Sequence, residues 1–246
     1  MGAGTQRNLL RIIRCFYRVS HDKMTSYWDS YEKGEFAAAS MGQISMQTKA
    51  GQEIFRVLQE ESGKDIQTIV EIGTWNGRGS TMCILFGING SSFKSFHSIE
   101  CNRDKYLSAV DVLDGHIDNN TYLMWGSIVN TEYIRSEEYR NNFPSLKDSE
   151  QLLGWFNIDL QNCEAAPNIL GALPDKIDFL LLDGGEYTTL NEFEVLLPRC
   201  TRYIAMDDTN QDKCRECRRR LQADPRWTEI SCIDERNGFS IFKMIV

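Results

Sequence analysis

"IDFLLLDGGEYTTL", Ile177 to Leu190, runs apolar for several residues and then places an aspartate, two glycines and a glutamate in immediate succession. A short, continuous apolar run closed by glycines reads as a strand buried on both faces. Similar runs recur along the chain: "QTIVEIG" (Gln67 to Gly73), "SFHSIEC" (Ser95 to Cys101), "TYLMWGS" (Thr121 to Ser127) and "RYIAMDDT" (Arg202 to Thr209). Helix-period stretches separate them, namely "STMCILFGI" from about Ser80, "RDKYLSAVDVL", "TLNEFEVLLP" closed by Pro198, and "DKCRECRRRLQAD". The tail "WTEISCIDERNGFSIFKMIV" alternates around Asn237-Gly238 and reads as an antiparallel hairpin. Together these predict a doubly wound α/β fold: a mostly parallel seven-stranded sheet with an antiparallel C-terminal hairpin and helices on both faces.

Two segments stand outside this alternation. Residues 1 to 62 read as an N-terminal helical cap whose last helix is "TKAGQEIFRVLQEE", leaving residues 63–246 as the main domain. Residues 131–175 form a long insertion between the third and fourth strands, expected to wall the active site, because long loops in compact domains usually carry function.

Composition bounds the partners. A net charge of −8 over 246 residues disfavours nucleic acid or an anionic membrane as the main partner, because either would repel the protein's average field. The basic run "RECRRRL" (Arg215 to Leu221) fits a solvated helix face better than a phosphate groove. "LLRIIRCFYRV" near the N-terminus is too short and too rich in arginine to span a membrane; it reads as an amphipathic helix after a leader at Met1 to Thr5. Eight scattered cysteines suit a reducing, cytoplasmic location. The single CxxC, Cys214 and Cys217, lies in a charged helix without a second pair or a nearby histidine, which argues against zinc. A homo-oligomer is compatible with this composition.

In an open parallel sheet, ligands bind beyond the carboxyl ends of the strands. Glu71, Glu100, Asp183, Asp207 and Asp208 all fall at such ends, so all five acids are expected on one edge. Any one of them alone would read as a cap or a loop salt bridge. In "EIGTWNGRGST", glycines 73, 77 and 79 let the backbone turn sharply beside a ligand. A dinucleotide fingerprint wants glycine where this chain has Trp75, so the loop suits a nucleoside without a pyrophosphate, with Glu100 accepting from the ribose hydroxyls.

"VEIGTWNGRGST" with "HSIE" resembles motifs I and II of class I S-adenosylmethionine-dependent methyltransferases. "LLLDGGEYTT" followed by "LLPRCTRYIAMDDTNQDKCRECRRRL" resembles the macrocin O-methyltransferase type, whose members methylate sugar hydroxyls on natural products with magnesium. The likeness spans about Gln47 to Leu221 and is most specific where "DGGEYTT" pairs with Asp207-Asp208.

The resemblance implies a Rossmann-like fold, S-adenosyl-L-methionine as cofactor, and Mg2+ or another hard divalent cation. It implies that Glu71, Gly73, Trp75, Gly77 and Ser80 shape the methionine and ribose part of the pocket, with Glu100 on the diol and Asp183 beside it. Trp125, Gly126 and Ser127 fall where the family contacts adenine, although Trp125 reads equally well as core. Asp183, Asp207 and Asp208 match the metal ligands, an all-oxygen set suited to magnesium or calcium. His21, His97 and His116 lie outside these motifs.

The chain departs from the pattern at Gly185, where relatives carry an acid or histidine as general base. Glu186 is the ionisable neighbour and takes the catalytic assignment with Asp183; if it points away, Asp159 or Glu164 of the insertion is the alternative. The expected acceptor is a sugar or glycan with adjacent hydroxyls, with a catechol-like phenol as runner-up. An NAD-dependent oxidoreductase and a non-catalytic nucleoside-binding module remain as readings from other classes.

Overall fold

In the computed structural model, which describes residues 43 to 245, seven strands form one sheet: β1 (Thr68–Ile72), β2 (Ser95–Glu100), β3 (Thr121–Trp125), β4 (Ile177–Leu182), β5 (Cys200–Asp207), β6 (Trp227–Ile233) and β7 (Phe239–Met244). Their order is β3-β2-β1-β4-β5-β7-β6. Neighbours from β3 through β5 are parallel, whereas β7 runs antiparallel to both β5 and β6. The order reverses between β1 and β4, which opens a crevice at their carboxyl ends.

The opening stretch is β4, and its apolar run has a simple cause. Leu180 and Leu182 pack into the core on one side of the sheet, while Phe179 and Leu181 pack into the core on the other. All four are 0% exposed, and burial of each such side chain is worth about 1.5–3 kcal/mol. Both faces are therefore covered, and a polar residue has no place before the strand ends. Asp178, at the opposite end of β4, is a structural acid: its Oδ2 accepts from the backbone N–H of Gln67 and of Thr68, each at 3.0 Å.

The helices are α1 (Lys49–Glu61), α2 (Ser80–Ile88), α3 (Arg103–Leu113), α4 (Thr131–Arg135), α5 (Glu137–Arg140), α6 (Glu150–Ala165), α7 (Thr189–Leu196) and α8 (Asp212–Ala223). Helix α1, capped by Thr48, buries Ile54, Val57 and Leu58 in the core it shares with α2. The rest of the expected N-terminal cap, residues 1 to 42, lies outside the described residues. Every residue of α2 is buried, in keeping with its unbroken apolar sequence.

The insertion is helical. Its α6 is capped by Ser149, whose hydroxyl accepts from the Leu152 N–H at 3.3 Å. Tyr139 of α5 fastens the insertion to the loop after β4: its hydroxyl donates to the Tyr187 carbonyl at 2.8 Å and accepts from the Asn191 N–H at 3.2 Å. The hairpin at the C-terminus forms as expected, but its connection spans 234–238 and brings Arg236 back over the sheet edge.

On α8, Arg215, Arg218, Arg219 and Arg220 each pair with a carboxylate, so the basic run is a salt-bridged face. Cys214 and Cys217 are fully buried in the core, and all seven cysteines of the described residues are free. No helix among the described residues is long and apolar enough to cross a membrane.

Candidate active site

A cleft of about 270 Å³ opens at the carboxyl edge of β1, β2 and β4. Gly73, Trp75 and Glu100 form one part of its wall, Gly126 and Ser127 another, and Asp183 to Gly185 the floor beneath β4. Ile158, Asp159 and Asn162 of α6 close the far side, so part of the insertion does stand against the cleft.

The glycine loop is shaped by contact across the switch point. Gly73 has φ +96°, and a Cβ there would run into the Asp183 carbonyl, so the β1 loop can lie against the β4 loop only with glycine. Trp75 adopts φ +52°, and its N–H donates to Glu100 Oε2 at 2.7 Å. The Lys105 ammonium sits 3.9 Å from the Trp75 ring centroid, a cation–π contact that holds the indole at the rim. Glu100 Oε1 accepts from the Asn102 N–H at 2.8 Å. Each carboxylate oxygen of Glu100 keeps a second lone pair for a ligand hydroxyl. Burial raises its pKa and the backbone donors oppose that rise.

Other residues expected at the cofactor stand behind the wall. Glu71 is 0% exposed and accepts from Ser80 at 2.6 Å, Thr81 at 2.8 Å and Ser98 at 2.5 Å. It thus sits at the N-terminus of α2, fixing the glycine loop from beneath through these three hydroxyls. Burial pushes its carboxyl up to about 7 in spite of those three hydroxyls. Gly77 and Ser80 likewise support the loop without lining the cleft. Trp125 is half-buried outside the lining, its Nε1 donating to the Cys101 carbonyl at 3.1 Å. His97 is stacked on Tyr122 away from the cleft, and burial lowers it to about 4.

The acids at the ends of β4 and β5 do converge. One carboxylate oxygen each from Asp183, Asp207 and Asp208 lies within 4.8 Å of the others. Asp208 takes φ +54°, an uncommon conformation that turns its side chain toward Asp183.

A cation is already there. Lys213, in the first turn of α8, places its Nζ 2.6 Å from Asp183 Oδ1 and 3.1 Å from Asp208 Oδ2, with its side chain 8% exposed. Arg236 reaches Asp207 Oδ2 at 3.3 Å. Burial alone would lower the Lys213 pKa, but Asp183, Asp208 and Asp207 outweigh it and keep the ammonium charged. A divalent ion among these oxygens would lose ligands to the ammonium and be repelled by it, at about 4 kcal/mol per pair of unit charges 4 Å apart. The expected metal ligands are therefore assembled, but with Lys213 in place they do not fit a divalent ion.

The acids considered as base take different places. Glu186 does not line the cleft; burial raises its pKa, opposed by the Lys213 charge. Glu164 is bound to Arg135 at 2.6 Å on the exposed face of α6. Asp159 is the insertion acid that faces the site: a Cβ added to Gly185 would meet its Oδ2 at 2.7 Å. The space left by the missing side chain at position 185 is taken by a carboxylate from α6. Burial raises the Asp159 pKa, opposed by the Tyr187 N–H and by Lys213.

Two charged residues were missed by motif reading. Lys213 follows Asp208 by five residues, and the need of three clustered acids for a cation was the available clue. Glu192 lines the cleft from α7 with its Oε2 buried and unpartnered, and burial pushes it up to about 8. Its helix periodicity alone would have marked it as an ordinary helix glutamate.

No protein-family model and no curated protein sequence matches the chain. Solved structures do match in shape. An O-methyltransferase from Bacillus cereus in complex with S-adenosylhomocysteine aligns over 90% of this chain and 91% of its own, at 14% identity and a TM-score of 0.55. A methyltransferase from Geobacter sulfurreducens aligns over 94% and 100%, also at 14% identity and 0.55. The S-adenosylhomocysteine-bound methyltransferase PaMTH1 of Podospora anserina aligns over 100% and 97%, at 10% identity and 0.55. From the strand order, the hairpin and these alignments together, the chain has the Rossmann-like fold of the class I methyltransferases.

Proposed function

We propose that this protein is an S-adenosylmethionine-dependent O-methyltransferase acting on a hydroxyl of a small molecule or glycan. The observation that carries the reading is the cleft at the switch point, where Glu100 and the Gly73–Trp75 loop meet Asp183 in a fold whose solved examples bind S-adenosylhomocysteine. Glu100 offers two free lone pairs for the ribose diol, and Gly126 and Ser127 stand where the adenine end would lie.

Methyl transfer from a sulfonium to a hydroxyl is an in-line displacement in which the acceptor oxygen sheds its proton. Holding the hydroxyl in line with the methyl supplies much of the rate. Asp159 is the carboxylate placed to receive the proton, because it faces the cleft and its raised pKa moves it toward the working range of a general base. Trp155, one helical turn before Asp159 on α6 and 48% exposed, presents a flat face on which a sugar or phenol ring can stack. A sugar with adjacent hydroxyls remains the preferred acceptor on the motif likeness.

The test is thermal shift followed by methyl transfer. S-adenosylhomocysteine is expected to raise the melting temperature by mass action while NAD leaves it unchanged, and Glu100→Ala to weaken the shift. Labelled S-adenosylmethionine with sugar and catechol panels then identifies the acceptor. Stabilisation by NAD in place of S-adenosylhomocysteine would overturn the reading in favour of an oxidoreductase.

A further inference from the structure

We propose that the Lys213 ammonium is the resident cation of the acidic cluster, standing where the motif likeness puts a divalent metal, so that the site is built to work without one. The inference rests on the methyltransferase reading for what the cluster serves, but its own ground is the arrangement of four side chains. Three carboxylates from two neighbouring strand ends cannot sit within 4.8 Å of one another as bare anions. In a metal site, a hard dication draws them together. Here a side chain from the same polypeptide does so: the loop after β5 turns through Asp208 at φ +54° into α8, whose first turn carries Lys213 back over the strand ends.

The placement is built, not incidental. The Lys213 side chain is 8% exposed, its Nζ bonds to one oxygen of Asp183 and one of Asp208, and Arg236 from the β6–β7 connection takes Asp207. A surface lysine near acids would stay hydrated and mobile, whereas a buried ammonium persists only where carboxylates repay its lost hydration.

Lys213 does not line the cleft, so it is a positioning residue. By holding Asp183 it sets the floor of the cleft beside Gly184 and Gly185, against which Asp159 packs. A divalent ion would carry a water shell and exchange with solvent; an ammonium tethered to α8 does neither.

Removing the side chain should open the place it occupies. Mn2+ is the probe, followed by loss of its free-ion electron paramagnetic resonance signal, alongside S-adenosylhomocysteine thermal shifts with and without chelator. The wild-type protein is expected to leave the Mn2+ signal intact up to about 1 mM, and its S-adenosylhomocysteine shift to be the same in chelator. Lys213→Ala is expected to bind about one Mn2+ per chain and to gain melting temperature from Mg2+. Asp208→Asn in the Lys213→Ala background is expected to abolish that gain.

If Lys213→Ala folds only when Mg2+ is supplied, that dependence is the same gained site. Lys213→Gln, which fills the space without charge, gives a second folded background in which to look for it. Binding of Mn2+ by the wild-type protein well below 1 mM would overturn the proposal, as would failure of both variants to acquire a metal site. A missing S-adenosylhomocysteine shift in every form would sink the methyltransferase reading while leaving the Mn2+ result to decide the role of the lysine.

Discussion

Asp159 and Glu186 show how much one missing side chain can move. With Gly185 in the chain, the acid next in sequence is not among the residues lining the cleft, and an acid from a helix of the insertion enters the space instead. Asp159→Asn keeps the shape and removes the proton acceptor, so turnover is expected to fall by roughly two to four orders of magnitude with the S-adenosylhomocysteine thermal shift unchanged. Glu186→Gln is expected to retain most of the turnover, because Glu186 does not line the cleft. A turnover collapse in Glu186→Gln with near-normal turnover in Asp159→Asn would reverse the two assignments. The sequence reading had both residues in view; what it lacked was the direction each side chain takes, which depends on how α6 packs against the loop after β4.

At the scale of the element, the β1 loop and α2 are held by a buried carboxyl. Glu71 and, on α7, Glu192 are pushed up to about 7 and about 8 by burial. Both keep their proton in the folded protein over a range in which the unfolded chain has lost it. Their contribution to stability is therefore largest below about pH 4.5, the ordinary glutamate value, and is lost as pH rises toward 7 for Glu71 and 8 for Glu192. The melting temperature is expected to decline between pH 5 and pH 8, and Glu71→Gln to flatten the part of that decline below about pH 7. A variant whose pH profile overlays that of the wild type would show that Glu71 titrates normally. Motif reading placed Glu71 at the right strand end, but an acid facing the ligand and an acid under the loop have the same sequence signature.

At the scale of the whole molecule, the insertion, the sheet edge and the hairpin meet around one crevice. Tyr139 is the tie: Tyr139→Phe leaves the Tyr187 carbonyl without its buried donor, while the Asn191 N–H keeps the Thr188 carbonyl, at an expected cost of about 1–3 kcal/mol in urea unfolding. Because α6 carries Asp159, turnover is expected to drop with it, and unchanged stability would show that the insertion is fastened elsewhere. The strands, their parallel arrangement and the carboxyl edge were legible in the sequence, because continuous apolar runs such as Phe179 to Leu182 follow from burial on both faces and need no knowledge of partners. So was the convergence of Asp183, Asp207 and Asp208, since acids at neighbouring parallel strand ends share an edge by topology alone. The tertiary structure decided which charges meet them. Lys213 arrives from the next helix, Arg236 from a hairpin connection 29 residues after Asp207, and Asp159 from an insertion 24 residues before Asp183. Local pattern marks where a strand stops. It carries no information on which distant side chain fills the space beyond, because that is set by the packing of helices whose sequences are periodic on many equivalent faces.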